Sequence, residues 1–213
     1  YMGYEAGRSS PKPILKIYAI THRTDPILPF SNMGMPVHEG QTATALIKGA
    51  EIYGELKKLG LPVKGVFCPP YGVGHMAVVS TEVPFVNFAR RVAHAVWATK
   101  PGLFTYYIVI VDADVDPTNM DEVLHAMTTK CHPVNGIHQV PHNPGFPVLL
   151  PFLPQKERLV GDAAGVIFDC TWPKDWPQES IPIKASFENL WPKEVQERVL
   201  KNWQSYGFAT PNP

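Results

Sequence analysis

The sequence predicts an α/β domain in three layers, α/β/α, with a largely parallel or mixed sheet and an extended C-terminal arm that ends in a helix. Three observations carry that expectation. Along most of the chain the apolar spacing alternates between compact β-prone runs and steps of three and four residues. Residues 105–111 form one continuous apolar run, as expected of a strand covered on both faces. Proline is abundant, 23 of 213 residues against an average of about 5%, yet it clusters between the periodic segments and so marks their boundaries.

In order, residues 14–20 (ILKIYAI) are expected to form a strand closed by Thr21, His22 and Arg23. From about residue 42, Ala45, Gly49, Ile52, Leu56 and Leu59 recur at helical steps until Gly60 and Pro62 stop the pattern, which predicts a helix with one buried face. Residues 63–68 read as a buried strand ended by Pro69 and Pro70, and residues 76–81 as another. Between residues 85 and 98, Phe85, Phe88, Ala89, Val92, Ala95 and Val96 share one side of a helix, with Arg90, Arg91 and His94 opposite. After the strand at 105–111, Asp116 is expected to cap a short helix with Pro117 in its first turn and Met120, Val123, Leu124 and Met127 as its apolar stripe. Residues 131–154, rich in His, Asn, Gly and Pro, read as a long irregular loop, either substrate-facing or structural, and 166–168 as the last strand. A closing helix opens at Pro192, presents Val195, Val199, Leu200, Trp203 and Tyr206 on one face and stops at Gly207. The Pro- and Trp-rich stretch before it reads as extended, so the helix resembles an arm suited to dimerisation. The expected division is residues 1–190 for the α/β body and 191–213 for the terminal helix and tail.

Composition narrows the function. The 19 basic residues balance 19 acidic ones, which removes the electrostatic footprint of a nucleic-acid or acidic-membrane binder. No apolar run approaches the ~20 residues that span a bilayer. Cys68, Cys131 and Cys170 are odd in number and widely spaced, so reduced thiols in the cytoplasm are expected rather than a disulfide framework or a zinc site. The expected partners are small molecules or proteins.

Several residues invite a chemical reading and are weighed against a plain one. Asp112, Asp114 and Asp116 imitate the start of a calcium loop, but Pro117 and Val123 stand where Gly and Glu are required, so they read as acidic residues at a strand end and helix start. His125, His132, His138 and His142 have no recognised ligand spacing. Gly40, Gln41 and Thr42 lie where a loop enters a helix, and its backbone donors could meet an anion or simply begin the helix. No GxSxG elbow, P-loop or GxGxxG fingerprint is present, which disfavours a free-standing nucleotide-binding domain.

Taken together, YMGY at residues 1–4, THRTDPILP at 21–29, VIVDADVDPTNMDEVLHAM at 109–127 followed by TTKC, GFP at 145–147 and VLKNWQSYGF at 199–208 make nearly the whole chain resemble the C-terminal part of UbiD-type aromatic acid decarboxylases. The resemblance implies a reversible, non-oxidative decarboxylase of aromatic or heteroaromatic acids of the phenolic, indole or pyrrole type. That enzyme would use prenylated FMN, with a divalent metal and potassium, in the complete protein. It also implies that the family's catalytic Glu would immediately precede Tyr1, that the flavin belongs to a preceding N-terminal flavin-binding domain, and that neither cofactor nor catalytic residue is expected in these residues, so that the fragment alone would be inactive. By position in the motifs, Tyr1, Gly40, Gln41, Thr44, Phe146 and Val148 are the expected substrate-pocket residues. An aromatic Phe and a small Val suit a flat ring, and no Asp, Arg or Lys can be placed in that pocket from the sequence. The terminal helix is expected to pack on a neighbouring subunit of a homodimer or larger homo-oligomer. The alternative is a non-enzymatic dimerisation or interaction module.

Overall fold

The computed structural model describes residues 3–4, 11–31, 34–146, 150–154 and 156–209. The chain divides into two compact units, Tyr1–Lys174 and Asp175–Pro213. The first holds a five-stranded sheet made of β1 (Val63–Phe67), β2 (Met76–Thr81), β3 (Tyr107–Asp112), β4 (Ile137–Pro144) and β5 (Asp162–Cys170), in the order β1-β2-β3-β5-β4. The inner pairs β2–β3 and β3–β5 are parallel and the two edge strands run antiparallel. The sheet is therefore mixed around a parallel centre.

The apolar run at β3 explains the layers, because successive side chains in a strand point to opposite faces. Ile108 and Ile110, with Ala77 and Val79 of β2, join one core with α1 (Glu39–Lys58) and α2 (Phe88–Trp97). Val109 and Val111, with Val78, join the other core with Val123 and Ala126 of α3 (Met120–Thr129). Both faces of the central strands are thus sealed by helices. α1 lies close over β1 at Gly49, where a Cβ would stand 3.1 Å from Val66 O.

Three sequence expectations change. Residues 14–20 are not a strand: Ile14 is 94% and Tyr18 84% exposed, and β propensity without a pairing partner does not make a ladder. Part of the supposed loop at 131–154 is the edge strand β4. Its prolines, Pro141 and Pro144, are tolerated at a sheet edge, and the register shifts between Val140 and Asn143. α3 is capped by Asn119, whose Oδ1 accepts from Asp121 N and Glu122 N, whereas Asp116 closes an earlier turn by accepting from Thr118 N at 2.9 Å.

In the second unit a short helix, α4 (Phe187–Leu190), precedes α5 (Lys193–Lys201), and a 3-10 turn at Trp203–Tyr206 runs to Gly207 at φ +90°. Gln196 Nε2 ties α5 back to Trp191 O at 2.7 Å and Glu188 O at 3.0 Å. None of the α5 residues is buried, and Leu200, Tyr206 and Phe208 remain exposed.

Candidate functional site

The sheet register gathers the candidate residues at the end where β2, β3 and β5 begin. β1 is antiparallel to β2, so Cys68 after β1 lies at the same end as His75 before β2. Met76 stands opposite Tyr107, which sets Tyr106 beside His75 with ring centroids 5.2 Å apart. β4 finishes at this end, Pro144 opposite Asp162, and delivers Gly145 and Phe146. The turn between α1 and β1 is short, so α1 runs back along β1 and its first turns reach the same end.

Phe146 is fixed from below by its own backbone. Its N–H donates to Leu103 O at 3.2 Å, and its ring stacks on Phe104 with centroids 5.3 Å apart and planes at 24°. A Cβ on Gly145 would stand 3.1 Å from Leu103 O and 3.2 Å from a Tyr106 ring carbon, so a larger residue would push the segment or its neighbours apart by a few tenths of an ångström. Phe146 itself is half exposed, offering aromatic surface beyond the stack.

Lys48 lies one turn beyond Thr44 on α1 and is only 6% exposed. Its ammonium donates to Gly74 O and lies 5.8 Å from the Phe104 ring centroid. Among the described residues it has no carboxylate partner. Burial lowers the amine to about 8, with Cys68 acting weakly the other way. Burial likewise raises the Cys68 thiol to about 11 and the Tyr106 hydroxyl to about 12, and it lowers His75, whose Nδ1 pairs with Phe104 O at 2.9 Å. The His75 Nε2 is buried with no hydrogen-bond partner among the described residues.

The helix entrance is equally under-satisfied. Gln41 Oε1 accepts from the His38 backbone N–H at 3.3 Å in a capping box whose other half is the His38 side chain facing the Gln41 backbone N–H, while Gln41 Nε2 and at least one ring nitrogen of His38 are buried without partners among the described residues. Gly40 makes room for the His38 ring, since a Cβ would lie 3.2 Å from it. Native proteins pair buried polar groups, so the unspent donors at the helix entrance, on the same sheet end as the Phe104–Phe146 stack, are free to meet a polar partner.

The acidic and histidine-rich motifs make contacts of their own. Asp112 pairs with Lys130 at 2.7 Å and accepts from Trp172 N at 3.2 Å, where β3 and β5 end. His142 pairs with Asp162 at 2.9 Å, and His132 Nδ1 accepts from Val134 N and Asn135 N at 3.1 Å each. Among the described residues no group of three or more His, Cys, Asp or Glu could hold a metal ion.

With this geometry in view, residues 41–170 match the family described as the 3-octaprenyl-4-hydroxybenzoate carboxy-lyase C-terminal domain. The chain belongs to the UbiD family. It is 28% identical to the pyrrole-2-carboxylic acid decarboxylase of Pseudomonas aeruginosa, over 98% of this chain and 44% of that protein. It is 32% identical to a phenolic acid decarboxylase of Sedimentibacter hydroxybenzoicus, over 88% of this chain and 39% of that one. The closed form of the Sedimentibacter hydroxybenzoicus vanillic acid decarboxylase superposes with a TM-score of 0.68 and 30% identity, covering 86% of this chain and 37% of that one. The chain therefore spans less than half the length of these relatives.

Of the pocket residues expected for this UbiD domain, Gly40, Gln41, Thr44 and Phe146 come to one end of the sheet, whereas Tyr1 and Val148 lie outside the described residues. Lys48, which the sequence did not nominate, lies on the same helix one turn beyond Thr44. At one turn from both Thr44 and Ile52 it shares the buried stripe of α1, and its charge concealed what its position implied. His38, His75, Phe104 and Tyr106 were also missed. Position alone could have nominated Phe104 and Tyr106, which flank the start of the strongest strand.

The described residues do not by themselves fit a flavin mononucleotide. They contain no phosphate-cradling loop after a strand and no metal-capable cluster to hold its phosphate.

Proposed function

We propose that this chain is the substrate-facing C-terminal domain of a reversible, non-oxidative decarboxylase of aromatic or heteroaromatic carboxylic acids. The observation that carries the reading is the under-satisfied helix entrance at His38 and Gln41 on the same sheet end as the Phe104–Phe146 stack, in a chain of the UbiD family. Phe146 offers a ring face to a flat substrate, Gln41 and the first turn of α1 offer donors to its polar substituents, and Thr44 borders the entrance. Tyr1 and Val148 complete the pocket in this reading. The relatives' names support the substrate class, since they act on pyrrole-2-carboxylic, ferulic and phenolic acids.

The reactive centre belongs to the rest of the polypeptide in this proposal. Prenylated FMN, with its divalent metal and potassium, is held by an N-terminal flavin-binding domain, and the proton-transferring Glu precedes Tyr1. One UbiD-class enzyme of similar fold, TM-score 0.59, is described in complex with FMN, in keeping with a flavin. The cofactor supplies the carbon–carbon bond chemistry; these residues bind the acid, orient its ring and exclude water. Three free cysteines favour a reducing, cytoplasmic setting, and among the described residues no helix is long and apolar enough to cross a membrane.

The test is CO₂ release from a panel of aryl and heteroaryl acids by the flavin-loaded protein that contains this chain. Release from ring acids and none from aliphatic acids is expected. Flavin binding without turnover of any ring acid would sink the reading. An assembly role is favoured separately by the uncovered Leu200, Tyr206 and Phe208: removal of residues 192–213 is expected to lower the sedimentation coefficient from an oligomer to a monomer, and an unchanged profile would exclude it.

A further inference from the structure

Every link from α1 to the ring of Phe146 is in place through one buried side chain. The Lys48 ammonium is tethered to Gly74 O, lies over the Phe104 ring at 5.8 Å, and Phe104 stacks on Phe146 at 5.3 Å. The Phe104 carbonyl is held in turn by His75 at 2.9 Å, and Leu103 O by the Phe146 N–H at 3.2 Å, so the backbone that carries both rings is anchored. A cation over a ring face is attracted by the ring quadrupole, and more strongly where water is excluded. Lys48 is nine-tenths buried and has no salt-bridge partner among the described residues, which leaves the Gly74 carbonyl and the Phe104 ring as its partners.

We infer that Lys48 is a positioning residue, which holds Phe104, and through it Phe146, so that the aromatic wall of the pocket is set by α1. The inference rests on the decarboxylase reading only for its consequence in catalysis; the mechanical link stands on the contacts. Lys48 does not touch the substrate in this account. It fixes where Phe146 offers its ring, and so acts on how tightly a flat acid is bound.

The titratable groups acting on the link are Cys68 after β1, His75 before β2 and Tyr106 beside it, whose hydroxyl burial raises to about 12, and their ranges separate from that of Lys48. The amine is held near 8, the thiol near 11, and the imidazole below its ordinary value. A change in the rings centred near pH 8 therefore reports Lys48.

The experiment has two arms. In the 213-residue chain carrying ring-labelled phenylalanine, the NMR signals of Phe104 and Phe146 are expected to move together with a midpoint near pH 8. In Lys48→Met neither should move in that range, and in Lys48→Arg, whose guanidinium stays charged, both should stay at the low-pH position. A still Phe146 beside a moving Phe104, or a titration that survives in Lys48→Met, overturns the inference. In the flavin-loaded protein, Lys48→Met is expected to raise KM for a ring acid about fivefold with kcat within about twofold, and Lys48→Arg to restore it. An unchanged KM in Lys48→Met also overturns it. Coupled ring titration in a protein that releases CO₂ from no ring acid would instead remove the decarboxylase reading and leave the link standing.

Discussion

Two lysines at opposite ends of one sheet, Lys48 buried and Lys130 largely covered, are held under different terms. Lys130 follows α3, lies 5.2 Å from the Trp172 ring centroid and pairs with the Asp112 carboxylate at 2.7 Å. Lys48 lies 5.8 Å from the Phe104 centroid with a carbonyl as its only hydrogen-bond partner among the described residues. A buried charge that has its counter-charge is a structural part. One that lacks it is retained against the desolvation it suffers, and here it lies at the sheet end that carries Thr44 and Phe146. The carboxylate end of the comparison is also under strain of burial: desolvation raises Asp112, and the Lys130 hydrogen bond and charge draw it back.

Breaking the paired end should have the largest effect. Lys130→Met leaves the partly buried Asp112 carboxylate without its cation, and a loss of about 3 kcal/mol in urea unfolding is expected; a variant as stable as the wild type would make the pair incidental and erase the contrast. The pocket end should instead be sensitive in its backbone. A Cβ on Gly102 would fall 1.8 Å from Val96 O, in the turn that carries Phe104, so Gly102→Ala is expected to lose about 3 kcal/mol and to shift the Phe104 signals. An unperturbed ring would mean that the turn adapts elsewhere.

A pH series sharpens the contrast further. An amine held near 8 instead of 10.5 binds fewer protons folded than unfolded, so its contribution to stability is full above about 10.5 and is lost as pH falls through 8. The Cys68 thiol, raised from 9.0 to about 11, acts with the opposite sign: its contribution is present below 9 and lost as pH rises through 11. Between pH 8 and 9 the lysine acts almost alone, and the stability of the wild type relative to Lys48→Met should climb by about 1 kcal/mol. A flat difference would mean that the amine titrates normally. The smallest effect belongs to the cap of α3, the helix that ends at Lys130. Asn119 is exposed and its bonds are 3.2 and 3.5 Å long, so Asn119→Ala should lose about 0.5 kcal/mol in thermal unfolding and leave Phe146 unmoved.

The layers were legible because β3 is apolar at every position that must be covered, and the alternation of Ile108 and Ile110 against Val109 and Val111 follows from strand geometry alone. α1, α2, α5 and four of the five strands of the sheet follow from spacing in the same way. β4 was hidden because an edge strand can carry Pro141, His142 and Pro144 and so has the composition of a loop. Residues 14–20 failed in the reverse sense, with strand composition and no ladder to join. Gly40, Gln41, Thr44 and Phe146 came from family motifs, and their convergence depends on the antiparallel edge strands that return both segments to one end. Lys48 and His75 were not legible, because a buried polar side chain is indistinguishable in sequence from an exposed one until the register of the sheet is known.

The central claim is that this end of the domain, and not the other, faces an aromatic acid. It is tested most directly by kcat/KM for a ring acid in the flavin-loaded protein, measured for Phe146→Ala at the pocket end and Asp114→Asn beside Lys130. A drop of about tenfold or more for Phe146→Ala, with Asp114→Asn within about twofold of the wild type, is the predicted result. Equal values for Phe146→Ala and the wild type would contradict the claim.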